Sequence, residues 1–430
     1  MNKKYLLSLS SLLFLLTCVN TQKVAIKEQP PNIVIILADD LGYSDLGCYG
    51  GVANTPNLNQ LAAEGIRFTD FYAAASNCSP SRVGLLTGRS PSKVGMYNYM
   101  PPKHPMHLKA EETTIAEVVQ QKGYKTGHFG KWHVSHLQSD QPQPIDQGFD
   151  YSLGTSNNAQ PSHLNPTNFV RNGQAVGEMK GYSCQIIVEE AIQWLTKTVT
   201  KKDPFLLYLA FHEPHKKVAS PPDLTAKYAT YPKQDAEYLA NVENMDDAVG
   251  KMLTALKNKG LDENTLILFA SDNGSYRNGS NVPLLGGKSF VYEGGIRVPG
   301  ILHWKGKIEA GQTNETPVCL TDVLPTICDL VAINPPNPTS LDGISLLPLI
   351  HKKPFNRTKP LSWFFYRTSP EMAMRIGDYV ILGSDSDTVR LTHRMAQPDM
   401  DYIKNMTLEN FEVYHLQSDI GQTNNRLVRH

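Results

Sequence analysis

Polar residues with oxygen side chains follow two apolar segments of the sequence. Asp39 and Asp40 come directly after the run 32–38, and Asp272 and Asn273 follow the run 265–270. Because ligands bind beyond the carboxyl ends of strands in an open α/β sheet, these side chains are expected to converge. Three carboxylates and an amide carbonyl form an all-oxygen set, which suits Ca²⁺, or with less preference Mg²⁺, and does not suit zinc. The sequence therefore predicts one calcium ion.

The same residues have a simpler interpretation that needs no metal. Asp39 and Asp40 could cap a helix or a turn, and the segment 272–274, Asp-Asn-Gly, could form an ordinary β-turn. The position of both acidic segments directly after apolar runs favours the metal.

A cysteine with unusual neighbours is the second candidate for chemistry. Cys78 stands in the segment 77–89, which reads Asn-Cys-Ser-Pro-Ser-Arg-Val-Gly-Leu-Leu-Thr-Gly-Arg. Pro80 and Ser81 suit the first turn of a helix, predicted over 79–86, so Cys78 is expected at the positive end of the helix dipole. Composition alone leaves three interpretations open: a buried structural thiol, half of a disulfide, or a reactive centre.

The residues from Cys78 onward resemble the signature of the type I sulfatases. The pattern Cys-X-Pro-Ser-Arg, then three residues, then Leu-Thr-Gly-Arg is matched at every fixed position of 78–89. In that family the cysteine is oxidised to Cα-formylglycine by a maturation enzyme, which would be a partner of this chain. Further segments resemble family motifs in the family's order, namely 39–43, 130–133, 270–274, 286–288 and 293–299. The resemblance implies the alkaline phosphatase-like sulfatase fold.

The resemblance also implies a role for each matching residue. Calcium binding falls to Asp39, Asp40, Asp272 and Asn273, catalysis to Cys78 (as formylglycine hydrate), Arg82, His133 and His215, and substrate binding to Lys131 and Lys288. Because a sulfate monoester is anionic, the site must supply cations before a nucleophile can attack. A geminal diol offers one hydroxyl for attack and a second whose deprotonation expels sulfate, so no water need reach the sulfur.

His215 has a further expected role. It follows the apolar run 203–211 and should face the same crevice. A protonated imidazole there could donate to the leaving alcohol, which is typically worth roughly 10² to 10⁴ in rate. The neighbouring residues His212, Glu213, Lys216 and Lys217 could contact substrate or form a solvated loop. Outside the family motifs, His133 and Lys288 would be interpreted as a packed histidine and a loop lysine.

The hydrophobic pattern predicts the elements that position these residues. Apolar runs over 32–38, 203–211 and 265–270 indicate buried strands, and they alternate with helical patterns over 114–121, 184–198 and 238–257. This alternation predicts an α/β fold with a large, mostly parallel sheet flanked by helices. After proline-rich breaks, strand candidates over 361–366, 372–382 and 411–416 and a helix over 400–405 predict a small C-terminal antiparallel-sheet subdomain. The expected limits are 32–350 for the catalytic domain and 351–430 for the subdomain.

The N-terminal segment predicts export. Residues 1–18 combine two lysines with an apolar core too short to span a bilayer, which is typical of a signal peptide, and residues 19–31 form a linker. The segment 15–18, Leu-Leu-Thr-Cys, resembles a bacterial lipobox, so we expect either lipidation at Cys18 or cleavage nearby. The expected location is periplasmic, secreted or outer-membrane lipoprotein, with membrane contact only through that anchor. An oxidising compartment leaves disulfide pairing open for Cys48, Cys184, Cys319 and Cys328.

Composition and charge limit the classes of partner. The 430 residues are 40% hydrophobic and 19% charged, which suits a large globular protein. Lys and Arg number 41, as do Asp and Glu, so no global field attracts nucleic acid. By analogy with the family, the expected substrates are sulfated polysaccharide or oligosaccharide fragments. Segments 96–104 and 157–165 have aromatic and amide groups suited to sugar hydroxyls, or form ordinary polar loops.

Two other functions are compatible with the same residues. Some relatives use formylglycine for phosphorus chemistry, so the chain could hydrolyse phosphonate or phosphate esters. If Cys78 stayed a thiol, the chain could instead be a catalytically inactive protein that binds sulfated glycans.

Overall fold

The computed structural model describes residues 29–200, 202–335, 338–366, 371–385 and 399–427. The predicted signal peptide, Cys18 and most of the predicted linker lie outside these residues. Within the described part, no helix has the length and apolar character needed to cross a membrane.

The described residues form sixteen strands and ten α-helices. The strands are β1 (Asn32–Asp39), β2 (Ile66–Phe68), β3 (Phe71–Tyr72), β4 (Lys125–Lys131), β5 (Tyr151–Thr155), β6 (Phe169–Arg171), β7 (Gln174–Gly177), β8 (Phe205–Pro214), β9 (Thr265–Ser271), β10 (Gly300–Trp304), β11 (Gln312–Asn314), β12 (Val318–Cys319), β13 (Leu361–Phe364), β14 (Met372–Ile376), β15 (Tyr379–Asp385) and β16 (Leu408–His415). The helices are α1 (Pro56–Ala63), α2 (Cys78–Thr87), α3 (Ile115–Gln120), α4 (Ser183–Thr198), α5 (Pro222–Lys227), α6 (Lys233–Asn258), α7 (Glu293–Ile296), α8 (Val323–Leu330), α9 (Leu347–Ile350) and α10 (Asp399–Asn405).

A large mixed sheet forms the centre of the fold. Its ten strands lie in the order β11-β2-β10-β9-β1-β8-β4-β5-β6-β7. The neighbours from β9 to β5 pair in parallel, whereas β10 pairs with β9 in the antiparallel sense. This arrangement confirms the predicted α/β class with a mostly parallel sheet. The parallel strands end at one edge, so residues that follow them are brought together there.

The central strand β1 is buried on both faces, as its continuous apolar sequence predicts. Ile33, Ile35 and Leu37 face one hydrophobic core, whereas Val34 and Ile36 face the other. Helices α2, α3 and α8 contribute to the first core, and α1, α4 and α6 contribute to the second. Because both faces are covered, polar groups of this strand are confined to its end.

Three of the differences between the structure and the sequence predictions have a clear physical reason. The strand β4, Lys125–Lys131, was not expected, because it contains two glycines, a histidine and a lysine at each end. Helix α6 begins at Lys233, ahead of the predicted residue 238, since its first turn is polar and lacks the apolar periodicity. The predicted strand 372–382 is instead the hairpin β14–β15, which turns at Gly377 with a φ of 58°.

The C-terminal strands β13–β16 form a separate four-stranded antiparallel sheet, as predicted. Trp363 of β13 packs in the same core as α2, and its indole nitrogen donates a hydrogen bond of 2.8 Å to the carbonyl of Ala73. Arg375 of β14 pairs with Asp70 at 2.6 Å. The small sheet is therefore tied to the segment that leads into α2. The predicted domain limits at 350 and 351 stay a prediction.

Candidate active site

The predicted site residues meet at the carboxyl edge of the parallel strands. Asp39 ends β1, Lys131 ends β4, His215 follows β8, and Asp272 and Asn273 follow β9, whereas Cys78 begins α2. Four adjacent strands thus deliver side chains to one place. Topology explains why residues far apart in the sequence converge.

The acidic residues form one hydrogen-bonded group. The amide nitrogen of Asp40 donates to Oδ1 of Asp272 at 3.2 Å, and Nδ2 of Asn273 donates to Oδ1 of Asp40 at 2.7 Å. Asp40 has a φ of 63°, a left-handed conformation that Asp tolerates better than most residues. Asp39, Asp40, Asp272 and Asn273 are all fully buried. Isolated capping residues would not converge in this way, so the arrangement favours the metal interpretation.

Two buried oxygens of this group fit a hard cation. Oδ1 of Asp39 and Oδ1 of Asn273 have no hydrogen-bond partner among the described residues, although buried polar atoms nearly always have one. Ligand atoms of Asp39, Asp40 and His215 lie within 4.8 Å of one another. The donor set is rich in carboxylate and amide oxygen, as calcium prefers. The structure adds His215 to the neighbourhood of the predicted ligands.

Three cationic side chains contact the three carboxylates: Arg82 and Lys131 are fully buried, and Lys288 is half-buried. Arg82 binds Oδ2 of Asp272 through Nε at 3.0 Å and through a terminal nitrogen at 2.7 Å. Nζ of Lys131 donates to Asp39 at 2.6 Å, and Nζ of Lys288 donates to Asp40 at 2.8 Å. All three predicted cationic residues therefore contact the acidic group.

The pKa values of the carboxylates Asp39 and Asp272 are shifted in opposite directions. Burial acts to raise the pKa of Asp39, but the charges of Lys131, His215 and Arg82 outweigh it and hold that pKa well below its ordinary value. Burial, followed by the neighbouring charge of Asp39, raises the pKa of Asp272 to about 7. A divalent cation bound at this group would favour the ionised form of both carboxylates.

Cys78 is the first residue of α2, one residue earlier than the sequence predicts. Asn77 caps the helix, and its Oδ1 accepts hydrogen bonds from the Cys78 amide at 2.9 Å and from Sγ at 3.4 Å. Burial raises the pKa of the Cys78 thiol, although Lys131 and Lys288 act in the opposite direction. An unmodified thiol here is therefore mostly protonated and a poor nucleophile.

The two candidate histidines have defined proton positions. Nε2 of His133 lies 3.1 Å from the Met100 carbonyl, which can only accept, so Nε2 carries the hydrogen and the buried Nδ1 presents its lone pair. Burial, then the charge of Lys131, holds the pKa of His133 well below its ordinary value. In His215, Nδ1 donates to the Lys216 carbonyl at 2.6 Å, which leaves Nε2, 3.4 Å from Asp40, to exchange a proton.

The structure also shows site residues that sequence reasoning missed. Asn77 holds the amide of Cys78, and Oδ1 of Asn158 accepts from Nζ of Lys131 at 3.1 Å. The Met100 amide donates to the hydroxyl of Ser79 at 2.9 Å, next to Cys78. An Asn before a helix start is a capping signal that could have identified Asn77. Asn158 lies in the segment 157–165, whose amide groups suit sugar hydroxyls, but no sequence signal predicts its contact with Lys131, because the path of a loop brings the two together.

The remaining cysteines are thiols in the structure. Cys48, Cys184, Cys319 and Cys328 are all unpaired within the described residues, as is Cys78. The four positions at which disulfide pairing was left open therefore form no bridge with one another.

Comparison with known proteins gives consistent matches over most of the chain. A family model described as Sulfatase matches residues 31–333, and one described as N-sulphoglucosamine sulphohydrolase, C-terminal, matches residues 285–427. Arylsulfatase A of Homo sapiens is 38% identical over 385 residues, which cover 82% of this chain and 74% of the relative. N-acetylgalactosamine-6-sulfatase of Rattus norvegicus is 34% identical over 385 residues, covering 82% and 71%. The crystal structure of Ps i-CgsB in complex with k-i-k-neocarrahexaose has a TM-score of 0.81 at 28% identity and covers 93% of this chain and 89% of its own.

Proposed function

The chain belongs to the sulfatase family and is a sulfuric ester hydrolase, and on that premise we propose that it desulfates polysaccharide or oligosaccharide fragments. The proposal includes conversion of Cys78 to formylglycine and binding of one calcium ion. The observation that carries it is the position of Cys78 at the start of α2, with Lys131 and Lys288 near enough to act on its charge.

Calcium fits the acidic group described above. Asp39, Asp40, Asp272 and Asn273 would hold the ion, which would supply positive charge beside the sulfate group. The two oxygens without hydrogen bonds, on Asp39 and Asn273, support this assignment.

Residue 78 would provide the nucleophile after its oxidation. As a hydrated aldehyde it offers one hydroxyl for attack on sulfur and a second that assists release of sulfate. The protein supplies the surroundings: the N-terminal end of α2 favours an anion, and Asn77 fixes the backbone at this position. The raised pKa of the Cys78 thiol argues against the thiol itself as nucleophile.

The buried cations would bind the sulfate oxygens. Arg82 is held rigidly by Asp272 and by the Lys131 carbonyl, to which it donates at 2.9 Å. Lys131 and Lys288 end in flexible ammonium groups that can reach an anion while they stay close to Asp39 and Asp40. Preorganised charge of this kind lowers the barrier to attack on an anionic ester.

The histidines would move protons on the two sides of the sulfur. Nδ1 of His133 presents a lone pair and is suited to accept a proton from the hydrated aldehyde. Nε2 of His215 would donate to the leaving alcohol of a sugar from the protonated imidazole, because the Nδ1 hydrogen is already donated to the Lys216 carbonyl. His133 would thus act from its neutral form, whereas His215 would act from its cationic form beside Asp40.

The loops beside the site support a carbohydrate substrate. Met100 ties the segment 96–104 to Ser79 and His133, and Asn158 ties the segment 157–165 to Lys131. Both segments have side chains suited to sugar hydroxyls. The similarity to Ps i-CgsB, solved with a neocarrahexaose, and to N-acetylgalactosamine-6-sulfatase supports the same class. We also propose that the protein is exported and is either lipidated at Cys18 or cleaved nearby, as its first 18 residues indicate.

The test is a desulfation screen of defined sulfated oligosaccharides, using protein produced together with a formylglycine-generating enzyme. Release of sulfate from at least one oligosaccharide is expected, with a kcat/KM on aryl sulfates far above that on aryl phosphonates. A clear preference for the phosphonate would contradict the proposal in favour of phosphorus chemistry. Binding of sulfated glycans without any turnover would indicate a protein that only binds them.

A further inference from the structure

A groove with several ionisable side chains lies next to the active site. It has a volume of about 610 Å³ and is lined by residues of the segments 102–107 and 136–141, together with Ser156. Its charged and imidazole side chains are Lys103, His104, His107, His136 and Asp140. None of these residues takes part in the mechanism described above.

The number of residues between the groove and the site sets an upper limit on the distance between them. Pro102 is two residues beyond Met100, and His136 is three residues beyond His133, in a chain that spans at most about 3.6 Å per residue. Ser156 likewise stands two residues before Asn158, the partner of Lys131. The groove therefore begins within roughly 11 Å of residues that surround Cys78.

Hydrogen bonds hold the walls of the groove together. Nε2 of Gln141 donates to the His104 carbonyl at 3.1 Å, and its Oε1 accepts from the His136 amide at 2.7 Å. Gln141 thus bridges the two segments and fixes the backbones that carry these imidazoles. Nδ1 of His107 is bonded to the Pro105 carbonyl at 2.7 Å, which also restricts that ring.

The side chains of the groove suit an anion better than a metal. The lining contains one lysine, which donates from its ammonium group, three imidazoles, which donate to an anion when protonated, and a single carboxylate, Asp140. Among the described residues, the three imidazoles do not bring ligand atoms within 4.8 Å of one another, as a metal would require. Lys103 has a φ of 62°, an unfavourable conformation for a lysine, and its side chain is exposed.

We propose that this groove binds an acidic group, a second sulfate or a carboxylate, on the sugar unit next to the one that is desulfated. The inference rests on the proposed function and makes its substrate more specific. The enzyme then selects glycans in which adjacent units are both charged. Lys103 is a specificity-determining residue that acts together with the imidazoles of His104, His107 and His136.

Kinetics on three defined disaccharides test the proposal. All carry the hydrolysed sulfate, and the neighbouring unit is neutral, sulfated or carboxylated. Wild-type enzyme is expected to have a higher kcat/KM for one or both acidic disaccharides, and the two acidic compounds show which group the groove prefers. In Lys103→Asn, which suits the positive φ, this preference should fall about tenfold, since a charge-assisted hydrogen bond is lost.

A matched variant controls for unspecific loss of surface charge. Lys122→Asn also removes an exposed lysine, but it precedes β4 and lies at the opposite edge of the sheet. It should keep the full preference. The inference would be overturned if Lys103→Asn kept the wild-type preference for acidic disaccharides, or if the wild type had no such preference. In both cases sulfate would still be released, so the proposed function would stand. Absence of sulfate release from every disaccharide would contradict the proposed function itself.

A binding experiment separates recognition from catalysis. Calorimetry with Cys78→Ala measures the affinity for each intact disaccharide without turnover. The acidic disaccharides should bind more tightly than the neutral one, by a factor that falls when Lys103→Asn is added. An unchanged factor in the double variant would show that Lys103 does not contact the acidic group.

Discussion

At the scale of single residues, the chemistry depends on where protons and charges are held. Hydrogen bonds to carbonyl oxygens fix Nε2 of His133 and Nδ1 of His215 as donors. Arg82 is immobilised by Asp272, whereas Lys131 and Lys288 have flexible stems. The site thus combines a guanidinium held through several nitrogens with two ammonium groups held by Asp39 and Asp40.

The role of His215 can be tested with two leaving groups. His215→Ala should reduce kcat/KM for a sugar sulfate about 10² to 10⁴-fold, because an alcohol needs a proton to depart. Hydrolysis of nitrophenyl sulfate should fall far less, since nitrophenolate leaves without a proton. Steady-state kinetics on both substrates measure the difference.

The control for this experiment is His351→Ala, which removes an exposed histidine that follows α9. His351→Ala should leave kcat/KM for both substrates unchanged. Equal losses on the two substrates in His215→Ala would show that His215 has a structural or metal-related role instead of proton donation.

Most individual site residues could be predicted from the sequence, and the reason is physical. Asp39, Asp272 and His215 follow apolar strands, and a parallel sheet brings strand ends together. Asn158 reaches the site only through the path of a loop, which no local pattern specifies. The acids were therefore predictable, whereas the contact of Asn158 with Lys131 was not.

At the scale of elements, the edge where β1 and β9 end contains all three carboxylates. These strands pair in parallel from Asn32 with Thr265 to Ala38 with Ser271, which sets Asp39 and Asp272 beside each other. The strand β4 supplies Lys131 to the same edge but escaped prediction. Its glycines and polar residues lack the apolar run that identifies a buried strand, and only its central place in the sheet explains its burial.

Removal of calcium should loosen this edge. A chelator is expected to lower the melting temperature by several degrees, and calcium at a hundred times its dissociation constant should restore about 2.7 kcal/mol of stability. Calorimetry or thermal denaturation measures the shift, which magnesium should reproduce only weakly.

Asp39→Asn should lose most of the calcium-dependent shift, whereas Asp329→Asn, which changes an exposed acid in α8, should keep it. A melting temperature that changes with neither chelator nor added calcium would contradict the metal assignment.

At the scale of the whole molecule, the small C-terminal sheet packs against the segment that leads into the site. Trp363 bonds the Ala73 carbonyl, and Arg375 pairs with Asp70, in the segment that precedes Cys78. The existence of this antiparallel sheet was predictable from short strand candidates after proline breaks. Its docking on the segment 70–73 was not, because buried ion pairs between distant segments leave no periodic pattern.

The docking contact makes a prediction about stability. Trp363→Phe keeps an aromatic ring but removes the donor to Ala73, so the free energy of unfolding should fall by about 1 to 3 kcal/mol. Trp304→Phe is a matched control, since Trp304 is also buried but its indole nitrogen has no hydrogen-bond partner in the described structure. Urea denaturation of both variants measures the difference. Similar losses would mean that ring packing, and not the hydrogen bond, holds the sheet.

The most direct test of the account is the mass of the tryptic peptide 68–82, which contains Cys78 as its single cysteine, isolated from fully active protein. Conversion of the thiol to formylglycine predicts a peptide lighter than the unmodified one by about 18 Da, with no thiol left to alkylate. Loss of sulfate release in Cys78→Ala should accompany it. A fully active preparation whose peptide retains the cysteine mass would contradict the central claim that residue 78 acts as a hydrated aldehyde.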